Sequence, residues 1–136
     1  MTSDELKKSM LDYAAEMRKL HSRIRNTFKH RSESSAKLME WEHASKEFHA
    51  SYDKKWPIKY DFEEWLVAIS EGEPEAIEAG LCFLECRPYF FRSGYMFKDI
   101  LRKCKRAPMS AEHGERLKII LEKWAVYRKA RLRHGQ

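Results

Sequence analysis

The chain has very little valine or threonine: its valines are Val67 and Val126, and its threonines are Thr2 and Thr27. β-Branched side chains pack well on a pleated surface, so their scarcity disfavours a strand-built fold, while Leu, Ala, Glu, Lys and Arg supply helix formers. Glycine and proline are sparse too, at 5 and 4 residues, which excludes collagen-like and low-complexity segments and makes each one a marker of a break. Three cysteines cannot all pair within one chain, and they point to reduced thiols rather than a disulfide framework. No uncharged apolar run approaches the roughly 18 residues of a membrane span. The opening Met1-Thr2-Ser3-Asp4-Glu5 is acidic where a secretory signal is basic, and no apolar core follows it. A cytoplasmic protein away from membranes is expected. Gly-rich phosphate loops, Gly-x-Ser-x-Gly elbows and His-Glu-x-x-His pairs are also missing, which removes the commoner routes to nucleotide, acyl-transfer and zinc-protease chemistry.

What remains is a chain of 136 residues, 43% hydrophobic and 35% charged, with 17 aromatics. That is enough to build a core without staples, and the expectation is one helical domain over 1–136. Leu6, Met10, Tyr13, Met17, Leu20, Ile24 and Phe28 recur at helical steps behind a Thr2/Glu5 capping box, which predicts a long first helix. A serine-rich break at 32–35 starts a second, carrying Leu38, Trp41, Ala44, Phe48 and Tyr52 until Trp56-Pro57 stops it. Asp61 and Glu64 cap a short third helix ending at Gly72, and Pro74 opens a fourth that ends near Arg87-Pro88. An aromatic turn, Tyr89-Phe90-Phe91-Arg92-Ser93-Gly94, leads into a fifth helix, and Ser110 caps a sixth with Leu117, Ile120, Leu121, Trp124 and Tyr127 on its apolar stripe. The prediction is therefore all-α: a hairpin of long helices over 1–56, packed on two shorter helix pairs over 57–136, in an irregular bundle or a HEAT-like stack.

Charge is strongly polarised along the chain. Residues 87–136 hold 14 Lys or Arg against 4 Asp or Glu, whereas residues 61–85 hold eight acids and no Lys or Arg. Opposed charged surfaces steer partners and speed association. Lys98, Arg102, Lys105 and Arg106 recur at helical spacing and suit phosphates, as do Arg128, Lys129, Arg131 and Arg133. The neighbouring acidic block opposes a long polyanion and favours a protein with its own acidic surface. Arg92 and Tyr95, of the types that dominate interface energetics, are expected to anchor that partner together with Lys98, Arg102, Lys103, Lys105 and Arg106.

Three further patterns bear on chemistry. Glu40 and His43 share a helical face at di-iron spacing, but the second copy that such a bundle requires is absent. Cys82, Cys86 and Cys104 fall short of the usual ligand set of zinc and are expected to pack as small hydrophobes, so neither metal nor cofactor is expected. The stretch Arg25-Asn26-Thr27-Phe28-Lys29-His30 resembles the Arg-x(4 to 6)-His motif of the HEPN ribonucleases, an all-helical family, including the polar residue after the arginine. That resemblance covers six residues and implies catalytic roles for Arg25 and His30. The leading expectation is a non-enzymatic protein-binding module, such as a bacterial immunity protein or antitoxin that covers its partner. Nucleic-acid binding through the basic C-terminal helices is the alternative, and a HEPN-like ribonuclease is the second alternative.

Overall fold

The computed structural model describes residues 1–134, and these form six helices with no strand among them. The chain divides into two compact units.

The first unit comprises Met1–Lys59 and Pro88–Tyr95. Its helix α1 spans Ser3–Phe28 and α2 spans Ser35–Lys54. Thr2 accepts the Glu5 backbone N–H at 3.1 Å and Ser34 that of Lys37 at 3.1 Å, so each helix starts where a side-chain oxygen satisfies an orphan donor. The periodic stripe of α1 is its buried face: Met10, Tyr13, Ala14, Met17 and Leu20. Tyr13 meets Tyr52, His21 meets Phe48, and Phe28 meets Trp41. Positions rise on one helix as they fall on the other, so α1 and α2 run in opposite directions. The aromatic turn completes this core. Phe90 is 5% exposed and sets its ring edge-on to Tyr13 at 5.3 Å, while Phe91 packs against His21 at 5.1 Å and Phe48 at 6.0 Å. Arg18 holds the turn from α1 by donating to the Tyr89 carbonyl at 2.6 Å.

The second unit comprises Tyr60–Arg87 and the chain from Met96 onward. It contains α3 (Phe62–Ser70), α4 (Pro74–Cys86), most of α5 (Ser93–Arg106) and α6 (Ala111–His134). Asp61 caps α3 by accepting from the Glu64 N–H at 2.8 Å, and Ser110 caps α6 through the His113 N–H at 3.1 Å. Helix α4 buries nearly every side of itself, from Ala76 through Leu84, and both α3 and α6 pack on it. Gly80 allows α3 and α5 to approach closely, because a Cβ there would lie 3.2 Å from Ile69 and 3.3 Å from the Cys104 sulfur. Trp65 is fully buried, its indole N–H donating to the Ala76 carbonyl at 3.0 Å and its ring edge-on to Phe83 at 5.8 Å.

Gly72 ends α3 with a φ of +81°, and a Cβ there would sit 2.7 Å from the Pro108 ring. Both facts oppose any other residue. Gly72→Ala is expected to cost about 1–2 kcal/mol, lowering the melting temperature by several degrees in a thermal scan.

Two acids of the block are ion-paired within this unit and a third is hydrogen-bonded. Arg116 on α6 reaches Glu78 at 2.5 Å and Glu85 at 2.6 Å, and Tyr60 donates to Glu73 at 2.7 Å. Burial pushes the Glu78 carboxyl up, but bonds from Arg116 and Cys82, with His113 nearby, outweigh it and hold the group below its ordinary value of 4.5. A carboxyl depressed in the folded state stabilises above its unfolded pKa, and that contribution is lost as pH falls. Arg116→Met should therefore melt several degrees below wild type at pH 7, with the gap closing below about pH 4. A gap independent of pH would show that the guanidinium acts through packing alone.

Candidate polyanion-binding groove

Helix α5 is divided lengthwise. Met96, Phe97, Ile100, Leu101 and Cys104 are buried, whereas Lys98, Arg102, Lys105 and Arg106 are exposed at steps of 4, 3 and 1 on another face. Helix α6 changes character along its length: Leu117 and Ile120 are buried, but beyond them Trp124 is only part-buried and Tyr127 is 43% exposed. Trp124, Tyr127, Arg128 and Arg131 follow one another at i, i+3, i+4 and i+7, so they share a face.

These two faces form a groove of about 780 Å³. One wall is Lys98, Leu101, Arg102, Lys105 and Arg106, and the other is Trp124, Tyr127, Arg128, Arg131 and Leu132. Six cations line it and no acid does. Arg102 is paired with Asp99 at 3.0 Å, an exposed i, i+3 contact. The other five have no ion pair among the described residues. Like charges around one cleft repel, and this is tolerable only because water solvates them; an anionic ligand removes the repulsion.

The aromatic part of the α6 wall is braced. Phe97 lies 5.2 Å from Trp124, and Trp124 and Tyr127 are nearly parallel, with centroids 5.4 Å apart and planes 17° apart. The Arg87 guanidinium lies 4.5 Å from the Phe97 centroid, 5.0 Å from Trp124 and 4.6 Å from Tyr127. Arg87 reaches this position from the left-handed C-cap of α4, at φ 44°, where its N–H bonds the Phe83 carbonyl at 2.9 Å.

Of the seven residues expected to bind a partner, the groove gathers Lys98, Arg102, Lys105 and Arg106. Lys103 is part-buried and outside the lining. Arg92 and Tyr95 belong to the first unit, where Arg92 has φ 71° and sits 5.4 Å over the Phe91 ring, and Tyr95 is 76% exposed. The sequence pattern assigned Trp124 and Tyr127 to a buried stripe. The signal for their real setting is that α6 carries no acid after Glu122 while cations recur beside both aromatics.

The remaining candidates turn to local partners. Arg25 bonds Ser22 at 3.2 Å, and His30 meets Glu33 at 2.8 Å; both are exposed. Glu40 pairs with Lys37 at 3.5 Å and His43 with Glu47 at 3.9 Å. Cys82 and Cys104 are buried, and burial pushes the Cys104 thiol up to about 12. Comparison with protein families, curated proteins and solved structures gives no match.

Proposed function

We propose that this chain is a non-catalytic binder of nucleic acid, with the groove between α5 and α6 following the phosphate backbone. The observation that supports it is a cleft lined by six cations and no acid, five of them without an ionic partner among the described residues. The cations on α5 recur about once per helical turn, roughly every 5.4 Å, which suits a ligand whose own charge repeats. No residue of the acidic block lines the groove, and two of its eight acids, Glu78 and Glu85, are paired with Arg116.

The test is fluorescence anisotropy with labelled oligonucleotides between 50 and 200 mM salt. Contacts from six cations to a single strand predict a log–log slope of about −4, or roughly 300-fold weaker binding across that range. Nucleic-acid affinity that is undetectable at 50 mM salt sinks the proposal. A folded protein with an acidic surface is the second reading, of which an immunity protein or antitoxin is an instance. It is favoured by Tyr89 and Tyr95, each 76% exposed, with Arg92 between them in sequence.

A further inference from the structure

We infer that the groove takes a single strand rather than a duplex, and that Tyr127 and Trp124 are a platform on which its bases stack. The inference rests on the nucleic-acid reading of the groove and adds the form of the ligand. Three observations carry it. Trp124 and Tyr127 are nearly parallel and both line the groove, and Tyr127 keeps 43% of its surface exposed. Arg87 lies within 5.0 Å of both centroids and is not among the residues that line the groove. Cations stand on both sides, with Lys98 and Arg102 on one wall and Arg128 and Arg131 on the other.

A pair of packed aromatic rings in the wall of a cationic cleft has a specific complement. It is a flat, apolar face joined to a negative backbone. In a duplex each base is stacked on its neighbours and paired across the helix, so only edges and phosphates reach a protein. In a single strand the faces are free, and stacking on an aromatic side chain costs no unpairing. The groove volume, about 780 Å³, is that of clefts that take one small-molecule-sized ligand, which suits a short stretch of one strand. Arg87 has a positioning role here: through cation–π contact with three rings it fixes the plane that a base would meet.

The experiment compares three labelled probes of equal length with the full chain at 100 mM salt: a single strand, a duplex, and an abasic strand that keeps the phosphates but lacks bases. The single strand is expected to bind roughly tenfold more tightly than either of the others, since a base stacked on an aromatic side chain contributes about that much. Tyr127→Ala should remove most of this advantage without changing the salt slope, while Tyr127→Phe keeps it. Circular dichroism confirms folding of each variant. Equal binding of strand and abasic strand, unaffected by Tyr127→Ala, overturns the stacking platform while leaving the phosphate-tracking groove in place. Duplex binding as tight as single-strand binding also overturns it. Loss of binding to all three probes overturns both the platform and the reading beneath it.

Discussion

Arg102→Glu combined with Arg128→Glu is expected to weaken oligonucleotide binding on the order of 100-fold while leaving the protein folded. Both positions line the groove, one on α5 and one on α6. A unit charge about 6 Å from a phosphate in water is attracted by roughly 0.7 kcal/mol, and reversal replaces that attraction with equal repulsion. Two reversals therefore amount to about 2.8 kcal/mol, or about two orders of magnitude. The salt slope should flatten as well, from about −4 toward −3, because two fewer counterion-releasing contacts remain. Stability should hardly change, since Arg128 is exposed and unpaired among the described residues and the Arg102–Asp99 contact is a surface pair. Lys118→Glu with Lys123→Glu is the matched control. It makes the same change in net charge at exposed positions outside the groove. If the control weakens binding as much as the groove variant, total charge rather than the groove is responsible.

The helices were legible because their signals are local. Thr2, Asp61 and Ser110 cap the helices that the spacing predicted, and Pro74 stands at the start of α4. A capping oxygen and an N–H three residues on need no knowledge of the rest of the fold. The wall formed by α5 was legible for the same reason, as cations spaced by helical steps. The other wall was not. Whether Trp124 and Tyr127 are core or surface depends on how far along α6 the neighbouring helices reach, and that is a property of tertiary packing. Aromatics at helical spacing read as a buried stripe, and in the first half of α6 Leu117 and Ile120 fulfil that reading. The aromatic turn shows the same limit. Phe90 is committed to the core of the first unit through Tyr13, a partner 77 positions away in sequence that no local spacing names. The pairing of Arg116 is hidden from the sequence in the same way, since Glu78 and Glu85 lie 38 and 31 positions from it.

Trp65→Ala is expected to be the most destabilising single substitution discussed, at about 3–5 kcal/mol. Trp65 is fully enclosed, and its removal leaves a cavity among Phe62, Phe83 and the backbone of α4 near Ala76. The indole also gives α3 a directional tie to α4 through the Ala76 carbonyl, a bond no aliphatic replacement makes. Domains of this size are stable by about 5–15 kcal/mol in total, so the loss brings the protein close to its unfolding threshold. Urea titration should show a much lower midpoint with an unchanged slope if unfolding stays two-state. Trp65→Phe separates the components. It keeps an aromatic ring in the cavity and removes the N–H donor, so it should cost less, about 1–2 kcal/mol. The consequence reaches the groove by a defined route: α3 packs on α4, α4 holds α6, and α6 supplies Trp124, Tyr127, Arg128 and Arg131. Oligonucleotide binding by Trp65→Ala should therefore fall in step with the folded fraction as urea is added, and recover wherever the variant is folded. A variant that melts within about 1 kcal/mol of wild type would show that the second unit does not depend on this contact. A fully folded variant that no longer binds would instead place Trp65 in the binding machinery, which its burial opposes.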